Sequence, residues 1–335
     1  MTEGTFAISS RIRLARNISG VPFPCVISDS ELERKVVSVC EQAMIKLGGF
    51  NVSRMSDLTD LEKRSMVERY LISPFLADND GGAVAVSSDG AISVMINEED
   101  HIREQIVMRG SCLKKAYSRL AALDNVLKVN LNFASSGGVY YTACPSNLGT
   151  GMRASIMLFL PAISYYGESG ELAARARERG LVVRGAFGEG SAGESYLYQV
   201  SNEITYKITE NDILSLVSEF VDEIADREES LRRQLFDERG VLFADECARA
   251  LGVLKNCVLL TYAEMSELIS RVKLGIDMGV IFSADPSELN DLLVAARSAT
   301  LKLNSSFRIK DEAAIRAGFV RDYLERSDLK VVFKA

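Results

Sequence analysis

Histidine occurs once, at His101, in a chain of 335 residues. A multi-histidine metal site has no ligands to draw on, and a histidine-based nucleophile triad has a single candidate, so zinc and triad hydrolase chemistries recede. The six cysteines, Cys25, Cys40, Cys112, Cys144, Cys247 and Cys257, are scattered and form no C-x-x-C pair. Neither a zinc ribbon nor a disulfide framework is indicated, and reduced thiols are the default. Long apolar runs are missing too: nothing approaches the roughly 18 to 20 residues of a membrane span. The start, MTEGTFAISS, has neither the basic flank nor the apolar core of a signal peptide. These absences predict a cytoplasmic chain with no membrane partner. A net charge of −7 leaves no basic stripe with which to displace counterions from nucleic acid, so that partner is excluded as well. Local arginine clusters can still bind a smaller polyanion. There is no internal repeat and no low-complexity tract.

What is present has two textures. With 47% hydrophobic and 25% charged residues, the chain suits one large domain and a smaller companion. Short strand-like runs and glycine-rich turns dominate the first part. Ala83 to Val86 and Ala91 to Ile96 flank Ser-Ser-Asp-Gly, a hairpin signal that puts Asn97 to His101 at a strand end. Val126 to Phe133 alternates apolar and polar residues and reads as a strand, turned by Ser135 to Gly138 into another at Val139 to Ala143. Leu181 to Phe187 and Tyr196 to Ser201 form a further pair, joined by a loop of small residues suited to closing over a ligand. Later, Ile213, Val217, Phe220, Ile224, Leu231 and Leu235 recur at helical spacing. Thr261 with Glu264, and Asp285-Pro286 before Glu288, mark further helix starts. The fold class is therefore α+β, an antiparallel sheet flanked by helices and followed by a helical domain. The boundary is placed between Asp226 and Gly240, giving domains 1–225 and 226–335.

Four segments carry charge where chemistry can use it. Ser9-Ser10-Arg11-Ile12-Arg13 sets Arg11 and Arg13 on one face of a strand, two forks able to grip phosphate oxygens. Alone, it is more simply a solvated basic edge. Asn97-Glu98-Glu99-Asp100-His101-Ile102-Arg103 closes an apolar strand with three consecutive carboxylates, which repel unless a cation joins them. A solvated acidic turn is the plain account; a carboxylate that orients a guanidinium and takes its proton is the functional one. Cys144 to Ser155 is a glycine-bearing turn whose amides can approach an anion while Arg153 neutralises it. Cys144 itself is either a small buried hydrophobe or a reactive thiolate. Arg184 to Ser191 ends a strand with an arginine and feeds the loop bearing Glu189.

In order, SSRIRLARN, NEEDHIR, CPSNLGTGMRAS and RGAFGEGS resemble the catalytic domain of the phosphagen (ATP:guanidino) kinase family across residues 5 to 205. The resemblance implies ATP and Mg2+ as cofactors, and transfer of the γ-phosphoryl group to a guanidinium nitrogen. Carried over motif by motif, it assigns nucleotide binding to Ser9, Ser10, Arg11, Ile12, Arg13, Arg103, Arg153, Ala154, Ser155, Ile156, Met157, Arg184, Gly185, Ala186, Phe187, Gly188 and Glu189. Glu99 becomes the acceptor-gripping base, Glu189 a second clamp and Cys144 a member of the catalytic set. Magnesium is expected on the nucleotide phosphates and water, with no protein metal site. The physics agrees, since phosphoryl transfer needs alignment and charge neutralisation more than covalent help.

Eight residues precede Ser9, and a helical domain follows the catalytic region instead of preceding it. That order, with Leu71-Ile72-Ser73-Pro74 and Gly151-Met152-Arg153-Ala154-Ser155, resembles the bacterial protein-arginine kinases. It implies protein-borne arginine as acceptor, a homodimer through the helical domain, an activator protein, and service to a Clp-type protease in protein quality control. Two departures stand out. Tyr70 replaces a nucleotide-contacting histidine; it can stack or hydrogen-bond but cannot become cationic near neutral pH. Glu312 to Ala317 keeps only Arg316 and Ala317 of an Arg-Asp-x-x-Arg-Ala phosphoarginine pocket. The rival readings are a degenerate kinase that docks phosphoarginine proteins or a protease, which nucleotide binding would separate, and a free-guanidino kinase, which stimulation of ADP release by arginine would separate.

Overall fold

The computed structural model describes residues 5–27, 29–185, 196–304 and 311–333. Its organising strand is β1 (Ala7–Arg16), where apolar and polar residues alternate so that Ile12 and Leu14 are buried on one side and Ser9, Arg11 and Arg13 face the other. Helix α1 (Ser30–Leu47) and strand β2 (Phe50–Arg54) follow, then α2 (Asp60–Glu68), α3 (Pro74–Ala77), β3 (Ala83–Ser87), β4 (Ile92–Ile96) and β5 (Ile102–Arg109). After α4 (Leu113–Leu131) and a small hairpin, β6 (Ser135–Ser136) with β7 (Val139–Tyr140), come β8 (Met152–Phe159), α5 (Pro161–Tyr165), α6 (Ser169–Glu178), β9 (Leu181–Gly185) and β10 (Leu197–Asn202). The main sheet has the order β2-β3-β4-β5-β1-β8-β10-β9, every neighbour antiparallel. One face is packed by α1, α4 and the first half of α7 (Glu210–Asn256), which bury Ile12, Leu14, Ile106, Ala154 and Ile156. Ser9, Arg11, Arg13, Arg103 and Arg153 are left on the other face, while Ser10, Arg16 and Glu104 are buried on the helix side.

The sheet departs from the sequence reading at two places. Val126 to Phe133 is no strand; through Leu131 it is the end of α4, whose buried Leu113, Ala116, Leu120, Leu123, Leu127 and Leu131 repeat at three or four residues. Exposed Val126 and Val129 add apolar positions off that stripe and imitate alternation. Of Val139 to Ala143, only Val139–Tyr140 is strand.

Helix α7 starts in a capping box at Thr209 and Asp212 and runs through a break at Gly240, where φ is 44° and ψ −116°. Its residues up to Leu231 belong to the sheet core, and those from Leu235 to a second core. That second core is shared with α8 (Tyr262–Asp277), α9 (Glu288–Ala295) and α11 (Glu312–Glu325), beside α10 (Ser298–Asn304) and the short pair β11 (Ile281–Phe282) and β12 (Lys330–Val331). Between the cores lies a buried charged joint. Arg232 donates from Nε to Glu228 at 2.7 Å and from Nη2 to the Phe159 carbonyl at 2.8 Å, and pairs with Asp277. Glu228 in turn accepts from the Ala162 and Ile163 amides at 3.0 and 2.9 Å. Groups buried in this way fix orientation more than they add stability. Among the described residues, no helix is long and apolar enough to cross a membrane.

A second buried cluster gives a measurable pH signature. Arg16 grips Asp124 of α4 from Nε at 2.8 Å and Nη2 at 3.0 Å, and Glu104 of β5 lies beside them, fully buried. Burial first, then the Asp124 charge, pushes the Glu104 carboxyl well above the ordinary 4.5. The folded chain therefore holds a proton that the unfolded chain releases, so stability is complete below pH 4.5 and falls as pH rises toward the raised folded value. Glu104→Gln, which keeps the neutral shape, is expected to flatten the decline of thermal midpoint with pH; parallel curves for the two proteins in calorimetry would contradict it.

Candidate functional site

The open face of the sheet carries the arginines, and strand register brings them together. Antiparallel pairing sets Arg13 opposite Arg153 of β8 and Gln105 of β5, Arg11 opposite Ser155 and Val107, Ala15 opposite Arg103, and Ser9 opposite Met157. Farther out, Gln199 is opposite both Met157 and Arg184. Directly opposed residues share a face, so Arg11, Arg13, Arg103, Arg153 and Arg184 all project to one side.

This cluster is under-compensated. Arg103 pairs with Glu98, Nη1 to Oε1 at 2.5 Å, but the enclosed Nε atoms of Arg11, Arg13 and Arg153 have no hydrogen-bond partner among the described residues. Burial, and then the charge of Arg103, lowers the Arg11 pKa to about 10. Arg13 is lowered well below its ordinary value by burial and then by Arg11, Arg103 and Arg153. Arg153 is lowered by burial and then by Arg184 and Arg103. Cations stripped of water and crowded together are costly unless an anion joins them. A polyanion laid along β1 would relieve that cost.

The three consecutive acids have three different fates. Glu98 is buried, which opposes its ionisation, yet the Arg103 charge and hydrogen bond outweigh this and hold its pKa below the usual range. Asp100 accepts from Asn17 Nδ2 at 2.6 Å and from the Ala143 amide at 2.7 Å, tying the acidic turn to the segment before Cys144. Burial, opposed by these bonds, leaves its pKa raised. Between them Glu99 lines a cavity of about 140 Å³ with Arg13, Arg103, Cys144, Gly151 and Arg153. Cys144 Sγ lies 3.0 Å from Ser146 Oγ. The neighbouring turn needs glycine: Gly151 has φ +63°, and a Cβ there would meet Arg16 Nη1 at 2.6 Å and the Ala15 carbonyl at 2.7 Å. His101 does not line this cavity. It is fully buried, accepts from the Ile18 amide at 3.2 Å, and burial lowers its pKa so that it stays neutral.

The stretches assigned to the nucleotide are split by the pleat. Ser9, Arg11, Arg13, Arg153, Ser155 and Met157 are on the open face, whereas Ile12, Ala154 and Ile156 are wholly buried in the core on the helix side. Ser10 also points there; its hydroxyl donates to the Gly110 carbonyl and accepts from the Cys112 amide, both at 2.8 Å, and so anchors the start of α4. Strand alternation turns these four side chains away from the open face. Arg184 and Gly185 close β9; Ala186, Phe187, Gly188 and Glu189 lie outside the described residues.

A second, mostly apolar cavity continues the groove at the Ser9 end. Arg11, Met157 and Gln199 form its sheet side and Tyr70 its edge, while Tyr262, Leu293 and Arg297 of the helical domain face them. Those helical-domain residues were not identified from sequence, because no local spacing signals a contact made across two domains. The open face as a whole is thus a groove with an apolar end, a cationic middle, and a carboxylate and thiol at the other end.

Residues 31–231 match the family described as ATP:guanido phosphotransferase, C-terminal catalytic domain, and residues 241–332 match the one described as protein-arginine kinase McsB C-terminal domain. A protein-arginine kinase of Clostridium acetobutylicum is 38% identical over 331 residues, 97% of each chain. One from Geobacillus stearothermophilus is 36% identical over 95% of this chain and 90% of its own. Among solved structures, a lombricine kinase superposes with a TM-score of 0.62 at 24% identity, over 70% of this chain and 69% of its own. The duplicated taurocyamine kinase of Schistosoma mansoni, with bound transition-state analogue components, gives 0.61 at 26% identity over 69% of this chain and 34% of its own.

Proposed function

The chain belongs to the ATP:guanido phosphotransferase family, and from that membership we propose that it is a protein-arginine kinase, transferring the γ-phosphoryl group of ATP to arginine side chains of proteins. One observation supports the chemistry more than any other: crowded arginines whose enclosed Nε atoms have no hydrogen-bond partner among the described residues run along β1 toward Glu99. Ser9 to Arg13 covers four strand steps, about 13 Å, and Glu99 lies beyond. The phosphates fit the middle of that groove, held by Arg11, Arg13, Arg103 and Arg153, with the γ-phosphoryl group at the cavity shared by Arg13, Arg153 and Glu99. Magnesium carried on the phosphates would add charge neutralisation there.

The acceptor guanidinium approaches from the Glu99 and Cys144 side. Glu99 orients its planar fork and takes the proton that leaves as the N–P bond forms and the P–O bond to ADP breaks. Cys144 borders the same space and would contact the acceptor. Arg103 lines it as well, fixed by Glu98. Family kinship further supports a homodimer through the helical domain, an activator protein, and delivery of marked proteins to a Clp-type protease in the cytoplasm.

The test is mass spectrometry, at neutral pH to preserve the acid-labile phosphoramidate, of an unfolded arginine-rich protein incubated with MgATP and the enzyme. Phosphoarginine on the protein is the expected result. If ATP binds but only free arginine accelerates ADP release, the acceptor is a small guanidino compound; if ATP does not bind at all, the kinase reading falls.

A further inference from the structure

We propose that the helical domain reads the nucleotide's base, through the guanidinium of Arg297 at the apolar end of the groove. This rests on the kinase reading, because it takes the arginines of β1 to hold a triphosphate. Once Arg11 and Arg13 hold the phosphates, the only part of a nucleotide that can reach the Ser9 end is its nucleoside. The space there suits a flat heterocycle. Met157 and Gln199 lie on its sheet side, and Tyr262, Leu293 and Arg297 face them from the helical domain.

Arg297 is held at the mouth of this space by groups from both domains. Its Nη2 donates to Tyr70 Oη at 2.8 Å and its Nε to Tyr262 Oη at 3.3 Å. Its Cζ stands 5.0 Å from the Tyr70 ring centroid and 5.9 Å from that of Tyr262. A planar cation tethered to two phenol hydroxyls in the wall of this cavity is held where the π face of a base could meet it. The domains are seated on each other close by. Glu68, at the end of α2, accepts from the Ala299 and Thr300 amides at 2.9 and 2.7 Å and from the Thr300 hydroxyl at 2.8 Å. On α9, Asn290, another residue of the cavity, accepts from the buried Lys273 ammonium at 2.8 Å. The helical domain is thereby a wall of the nucleotide site, and whatever tilts α9 and α10 against α2 alters affinity for ATP.

Calorimetric titration of the full chain with MgATP and with magnesium tripolyphosphate, which has the phosphates but no base, separates base reading from phosphate binding. Arg297→Ala is expected to weaken MgATP about tenfold and to leave tripolyphosphate unchanged. Arg297→Lys, which can keep a bond to Tyr70 but has no flat face, is expected to stay weak for ATP. Equal losses for both ligands, no loss for either, or full recovery with lysine overturns the inference, as does a parent protein that binds ATP no better than tripolyphosphate. A parent protein that binds neither ligand removes the kinase reading along with it.

Discussion

Glu99→Gln is expected to lower phosphoarginine formation by about 10²- to 10⁴-fold, the span by which a positioned proton acceptor accelerates transfer, while MgATP binding persists. The amide keeps the size of the carboxylate and can still accept a hydrogen bond, but it cannot balance the acceptor's charge or take its proton. ATP affinity should survive because Glu99 faces the cavity, whereas its neighbours hold the local structure: Glu98 is engaged by Arg103, and Asp100 by Asn17 and Ala143. Phosphoarginine counted by mass spectrometry alongside nucleotide titration checks both halves. Undiminished product with Gln at this position would transfer the base role elsewhere. Loss of ATP binding would mean that Glu99 organises the nucleotide and not the acceptor.

Arg13→Met should move stability and binding in opposite directions. The methionine variant is expected to be about 1–2 kcal/mol more stable than the parent in the absence of nucleotide, because a crowded cation lacking a counter-ion is replaced by an apolar side chain of similar length. For a domain of 150–250 residues that corresponds to about 2–8 °C in thermal midpoint. If Arg13 holds the phosphates as proposed, the same change should also abolish most of the upward shift expected of the parent with MgATP. Arg13 sits directly opposite Arg153 in the ladder and has Arg11 two residues before it, which is why the relief is expected to be large. A less stable variant that still shifts with MgATP would mean that the arginines are neutralised by something other than a nucleotide.

Much of this was legible in the sequence wherever a period of two or of three to four governs burial. Arg11 and Arg13 on one strand face, the turn at Gly90 and the stripe from Ile213 to Leu235 all follow from local geometry. The failures have equally local causes. Val126 and Val129 are exposed apolar residues on a helix and disguised its stripe. Ser10, Ile12, Ala154 and Ile156 entered the nucleotide set as members of motif stretches, and the pleat, which offers only every second side chain to one face, turns these four toward the core. Arg297 was invisible for a different reason: it reaches the groove through Tyr70, 227 positions away in the chain, and no window of sequence contains that relation. Arg316 is a similar case. The surviving arginine of a pocket motif that the sequence shows degraded, it is buried and donates to the Ala296 and Leu260 carbonyls and to Glu312, and no spacing in the sequence announces those ties.

Helix α7 also bears on how this protein can be taken apart. Its first half completes the core beneath the sheet, its second half completes the helical core, and Arg232 is fastened to both between them. There is no severable linker. A cut at residue 225 would strip Glu228 and Leu231 from the catalytic half, and a cut at Gly240 would leave that half with Leu235 and no companions for it. Splitting the chain anywhere along this helix is expected to leave two fragments, each with an incomplete core.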